Sequence, residues 1–241
     1  MRSATGAFLA RGIYTSVQEM TRFDKPILPF EARRFRPDLP TGWLNEIEPA
    51  LSAAQHVQMD GPGPGARPPL GDRVPVGLNH RLIAGDVVGV LCPQMFGWFH
   101  APETASAMSA VLGRPVRASR KLRTSININH LKPGHYCEWH VDSAGPYICV
   151  LFVTTHPTGA EFLWRDQDGQ VTSEPARSGE AVVLNSVETP HAVGPFNDLE
   201  ADRITIPMVF VPLDSDKDES DVGHENVIYD GESATGFGTA S

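Results

Sequence analysis

The stretch His140-Val141-Asp142 sets an imidazole and a carboxylate two residues apart. On an extended strand the side-chain period is two, so both groups reach one face while Val141 points the other way. One imidazole and one carboxylate are two of the three protein ligands that hold a non-haem ferrous ion, and such a site needs one more histidine from elsewhere in the fold. His191 is the candidate. It follows a strand at 180–184 and a polar turn, and opens a short second strand, His191-Ala192-Val193. Twelve residues further on, Arg203 and Thr205 stand at i and i+2 of an apolar run through Phe210, so they share a face, turned inward if the site lies inside a barrel. A guanidinium in such a strand is costly to bury unpaired, and a ligand carboxylate is its natural bidentate partner. An internal pair with Asp202 or Glu161 is the competing arrangement. Zinc or nickel would accept the same two imidazoles and carboxylate, and a hydrogen-bonded polar cluster is the alternative to any ion.

Taken in order, His140-x-Asp142, His191 and Arg203-x-Thr205 resemble the signature of the iron(II)- and 2-oxoglutarate-dependent oxygenases. The approach Leu131-Lys132-Pro133-Gly134 resembles that of the prolyl-hydroxylase-like branch, and the likeness covers residues 115–212. It implies iron(II) held by His140, Asp142 and His191, which are then both metal ligands and the catalytic centre. It implies 2-oxoglutarate as cosubstrate, with its distal carboxylate on Arg203 and the Thr205 hydroxyl, and dioxygen as oxidant. Succinate and carbon dioxide would leave, and the substrate would be hydroxylated; desaturation, ring closure and epimerisation stay open. Asp142 stands where halogenases of this family carry Gly or Ala, so no position is left for chloride. Asn127 and Asn129 share a strand face and would hydrogen-bond cosubstrate or substrate if that face is inward, or water if it is not.

Strands must present these groups. From Arg114 onward the pattern has period two, at 116–119, 124–130, the His140 strand, 147–154, 161–164, 170–173, 181–184 and 204–211. Before it the pattern is helical. Apolar residues at 43, 44, 47, 50, 51 and 54 fit a helix that Pro49 should kink or break, and 85–93 and 104–113 read as helices, the second stopped by Gly113. Short strands behind helices predict a mainly β fold, a jelly-roll or cupin-like barrel with an N-terminal helical support layer. That barrel is also the double-stranded β-helix that the family resemblance implies. The expected organisation is an arm and helical support at 1–113, the double-stranded β-helix core at 114–212 and an acidic, flexible tail at 213–241. Within the first part, four prolines among the first 40 residues predict an irregular arm with a short strand, and Asp60 to Pro69 is a loop by composition, with glycines that would permit a lid.

Composition narrows the partners. The formal charge of -9 resides mainly in the tail, where eight acids face one base from residue 213 on, against 21 acids and 19 bases elsewhere. Neither part attracts a phosphate backbone, so no nucleic acid is expected. No stretch is long and apolar enough to span a membrane, and the first 18 residues lack an apolar leader core, so no membrane partner and a cytoplasmic location are expected. Three cysteines at unrelated spacings, Cys92, Cys137 and Cys149, form no disulfide framework and are assigned no chemistry. Without a recognisable recognition domain, the expected substrate is a small molecule, a free amino acid or a natural-product intermediate. The alternatives are a protein side-chain hydroxylase and a metal-binding cupin that needs no 2-oxoglutarate, either a dioxygenase or an isomerase. Oligomeric state stays open between monomer and homodimer.

Overall fold

The computed structural model describes residues 25–54, 57–60, 78–133, 135–142, 146–156, 159–193 and 202–215. The loop expected at 60–69 and the acidic tail therefore lie almost wholly outside the described residues. Chain order is β1 (Ala32–Phe35), α1 (Leu44–Ala53), β2 (Val57–Asp60), β3 (Leu78–Ile83), α2 (Gly85–Leu91), α3 (Pro93–His100), α4 (Pro102–Leu112), β4 (Val116–Ala118), β5 (Ile128–Leu131), β6 (Tyr136–His140), β7 (Tyr147–Phe152), β8 (Phe162–Arg165), β9 (Val171–Glu174), β10 (Ala181–Asn185), β11 (His191–Val193) and β12 (Arg203–Pro212). The fold is mainly β. Antiparallel pairing gives one sheet in the order β1-β10-β7-β12-β5-β3-β6-β11-β8-β9, with β2 on β3 and β4 on β12.

Alternation along the strands sorts side chains onto two faces. Tyr147, Cys149, Leu151, Ala181, Val183, Ile206, Met208 and Phe210 pack against the helices, where Ile47, Val88, Met95, Phe99 and Val111 meet them. The Phe99 and Phe210 rings cross edge to face at 5.4 Å. Val150, Phe152, Val182 and Leu184 point the other way and meet Phe162 and Trp164 from β8, so the sheet is curled over a second apolar interior. Its two ends also approach. Arg34 of β1 holds Glu174 of β9 at 2.5 Å and pairs with Glu180 beside it.

Three strands precede residue 113: β1 lies where the arm was expected to hold a short strand, and β2 and β3 were not foreseen. β3 runs between β5 and β6, and β1 extends β10. The sequence of β3, Leu-Asn-His-Arg-Leu-Ile, has no alternation, so its pairing on both edges leaves no period-two mark. α1 continues unbroken through Pro49. That residue is on the exposed side of the helix, where water can satisfy the carbonyl that proline leaves without a donor. α3, unforeseen, opens on Pro93 as its first residue and is capped from α1, since Glu46 accepts the N–H groups of Gln94 and Met95 at 3.0 and 3.1 Å. Among the described residues no helix is long and apolar enough to cross a membrane.

Gly113 ends α4 as expected, at φ 69°. A Cβ there would lie 2.3 Å from the Lys25 carbonyl oxygen, where the arm runs against the helix end and Ile27 N–H bonds Leu112 O at 2.9 Å. Gly113→Ala therefore meets both a disfavoured φ and a backbone clash. The expected result is a loss of roughly 2–4 kcal/mol of unfolding free energy, read as a lower urea midpoint at unchanged slope.

Candidate functional site

β6 and β11 pair with His191 opposite His140 and Val193 opposite Cys137, so three steps on one strand match two on the other. That bulge turns Cys137 and His140 to the same side although they are an odd number of residues apart. Asp142 lies just past the end of β6, anchored by its N–H to Ser186 O at 2.9 Å. The ligating atoms of His140, Asp142 and His191 consequently lie within 4.8 Å of one another. Asp142 is 3.7 Å from His140 Nε2 and 4.0 Å from His191 Nε2, and the two imidazole centroids are 4.3 Å apart.

Neighbouring groups orient the two imidazoles. His191 donates Nδ1–H to the Thr189 carbonyl at 3.0 Å, which fixes its tautomer and leaves the Nε2 lone pair directed at the cluster. His140 has the Cys137 thiol 3.6 Å from Nδ1. Burial disfavours its protonation, but Cys137 and Asp142 outweigh burial and the neighbouring His191, and its pKa is raised. Two imidazoles and a carboxylate converging in this way can hold a divalent transition metal.

Arg203 and Thr205 are both buried, each about 1% exposed, and lie opposite Leu131 and Asn129 of β5. Directly opposed residues share a face, so Arg203, Thr205, Asn129 and, one pleat on, Asn127 all point to the side occupied by Phe152, the residue opposite Thr205. Both asparagines are half-buried there. Leu131 and Ala160 pack against Val193, two residues past His191, which ties this face to the histidine strand.

The competing arrangement, an internal pair of Arg203 with Asp202 or Glu161, is not formed. Asp202 binds His130 Nε2 at 2.5 Å, and Glu161 accepts Gly159 N–H. Arg203 donates Nε–H to Ala160 O at 2.9 Å, its buried Nη2 has no hydrogen-bond partner among the described residues, and burial pushes its pKa down to about 10, against a lesser opposing effect of Cys137. Ala160 adopts φ 56°, a left-handed conformation costly for alanine, and so turns its carbonyl toward the guanidinium.

His130, next to Asn129 on β5, is engaged by Asp202 through Nε2. Trp139 does not line this interior: its ring lies under Arg165, 4.3 Å from the guanidinium carbon, on the side away from His140. Trp164 is buried opposite His191, and the Phe162 ring is 5.7 Å from the His191 ring. Cys137, Thr189 and Ala160 carry no motif. Gly159 before Ala160 marks a turn, but no residue type there foretells that the alanine shares its left-handed geometry.

No protein-family model matches the chain, and no curated protein matches its sequence. Solved structures do match its fold. AviO1 from Streptomyces viridochromogenes Tue57 superposes with a TM-score of 0.56 at 15% identity, over 83% of this chain and 96% of that one. The non-haem α-ketoglutarate-dependent carbocyclase SnoK of nogalamycin biosynthesis gives 0.55 at 14%, over 75% and 79%. HygX from Streptomyces hygroscopicus, with nickel and 2-oxoglutarate bound, gives 0.53 at 11%, over 76% and 83%, and a second HygX structure holds hygromycin B as well. The chain thus has the fold of the iron(II)- and 2-oxoglutarate-dependent oxygenases, the family its motifs resemble.

A buried cation without a counter-ion opposes folding. Burial holds its folded pKa, about 10, below the ordinary guanidinium range, so the cost is fully present below pH 10 and fades only as pH rises from there toward the unfolded value. Arg203→Met, which keeps the bulk and removes the charge, is expected to stabilise the unliganded protein by about 1–3 kcal/mol, measured by urea unfolding.

Proposed function

We propose that this protein is an iron(II)- and 2-oxoglutarate-dependent dioxygenase that hydroxylates a small molecule, such as an amino acid or a natural-product intermediate, with release of succinate and carbon dioxide. The observation that carries the reading is the pairing of a two-histidine, one-carboxylate cluster with a buried guanidinium whose Nη2 lacks a partner among the described residues. The donor set suits ferrous iron, which takes imidazole and carboxylate and, with three protein ligands on one side, keeps positions for other ligands. The orphaned Nη2 suits a carboxylate, which would satisfy both the hydrogen bond and the charge. In this reading the curled sheet is the double-stranded β-helix, residues 114–212 are its core, and the earlier part lends it β1, β3 and the helices.

Bound together, iron and the oxo acid would supply the activation of dioxygen, the oxo acid being oxidatively decarboxylated to succinate. The chain's own residues bind, orient and exclude water. His140, Asp142 and His191 would hold the metal, with Thr189 O keeping His191 in the tautomer that can ligate. Arg203, steadied by Ala160, would take the distal carboxylate of the cosubstrate, with Thr205 as the adjoining hydroxyl and Asn127 and Asn129 as further donors on the same face. Phe152 supports Arg203 from 5.9 Å, and together with Val150, Phe162 and Trp164 it gives the interior apolar walls that strengthen polar contacts made within. The presence of Asp142 favours oxygen transfer over halogenation, because the carboxylate occupies the place a halide would need. A small substrate is favoured by the company of the fold, since HygX binds hygromycin B and SnoK belongs to nogalamycin biosynthesis.

The test uses manganese in place of iron. In the manganese-loaded protein, 2-oxoglutarate at a hundred times its dissociation constant is expected to add about 2.7 kcal/mol of stability, seen as a raised unfolding temperature. Arg203→Ala should abolish that gain and keep the metal, whereas Asp142→Ala should lose the metal. A wild-type protein that binds manganese and is indifferent to 2-oxoglutarate would instead be a cupin that works without it.

A further inference from the structure

Among the described residues, two that are not glycine have a positive φ in the left-handed region, Ala160 at 56° and Phe30 at 66°. Side chains disfavour that conformation, and it persists where surrounding structure over-determines it. Ala160 has its explanation in the carbonyl it offers Arg203. Phe30 lies in the N-terminal arm, far in sequence from every residue of the site. Its N–H nevertheless donates to Thr189 Oγ1 at 2.9 Å, across 159 residues of sequence.

Thr189 is fully buried and is held from three directions. Its N–H donates to Asn185 O at 2.9 Å, its hydroxyl accepts from Phe30, and Pro190 after it disfavours a helical backbone at Thr189. Its carbonyl, so directed, receives His191 Nδ1–H at 3.0 Å. The arm meets this turn a second time through the strand that follows Phe30, since Ala32 lies opposite Leu184, next to Asn185. A threonine hydroxyl is not needed to complete a turn already closed by the backbone bond to Asn185. What it adds is a fixed direction for the carbonyl that sets the His191 ring.

We propose that Thr189, held by the left-handed turn at Phe30, is a positioning residue for His191, so that the N-terminal arm is a working part of the metal site. The inference rests on the metal reading above. It differs from a tether that merely fastens the arm to the sheet, because a tether would affect stability and leave metal affinity alone.

The experiment is anaerobic titration of the full-length apoprotein with manganese(II), alongside unfolding of the same apoproteins. Thr189→Val removes the acceptor at nearly constant shape, Thr189→Ser restores it, and Asp142→Ala serves as the ligand-loss control. The expected result is affinity about tenfold weaker in Thr189→Val, the lower end of what loss of a hydrogen bond orienting a ligating imidazole costs, with wild-type affinity in Thr189→Ser. Unchanged affinity in a folded but less stable Thr189→Val overturns the inference and leaves a tether. If Thr189→Val does not fold, Phe30→Val, whose β-branch disfavours the left-handed turn, breaks the bond from the other end and is read the same way. A wild-type protein that takes up no manganese, or takes it up equally well as Asp142→Ala, overturns the metal reading itself and this inference with it.

Discussion

The opposition of His191 to His140 across β6 and β11 is the constraint on which the site depends. Without the bulge between Cys137 and His140, regular alternation would send one of them outward. With it, two imidazoles from segments about fifty residues apart stand 4.3 Å apart, and the chain needs only two more residues to bring Asp142 to both. β3, wedged between β5 and β6, carries the same sheet from the histidine strands to β5 and on to β12, where Arg203 points to the same interior. The His140, Asp142 and His191 cluster and the guanidinium are thus two parts of one curled surface.

Holding that surface costs stability. A cation is buried without an acid, an alanine and a phenylalanine sit in left-handed conformations, and the interior carries hydroxyl and amide groups where a core would place aliphatic ones. Each is unfavourable by an amount comparable with a sizeable part of a domain's net stability. The helix-facing layer offsets them with an apolar core running from Ile47 through Phe99 to Phe210. Strain in the backbone near Arg203 and His191, and not in the helices, is what a ligand site would leave behind.

Much of this was legible in the sequence. The grouping of His140, Asp142 and His191 could be read from His140-x-Asp142 and a histidine opening a strand, because strand period is a local property. Arg203 could be read because a lone guanidinium among Ile, Met and Val needs a reason to be there. The nine strands from β4 onward follow their alternation or their apolar runs. The rest depended on tertiary context. β3 hides in a polar run with no alternation, and α1 survives Pro49 only because that residue faces water. Trp139 is next to a ligand in sequence but turns away to meet Arg165, as the pleat requires. His130 could not be assigned until Asp202 was found against it. Ala160 and Thr189 act through backbone carbonyls, which every residue carries and no motif records.

The most direct measurement is anaerobic visible absorption of the apoprotein titrated with ferrous ion and then with 2-oxoglutarate. A weak charge-transfer band that needs both additions, and that is absent from Arg203→Ala and Asp142→Ala, is the expected result, since it requires metal and oxo acid to share the one interior. Iron bound at His140, Asp142 and His191 with no band on adding 2-oxoglutarate would contradict the assignment of Arg203 and of the reaction.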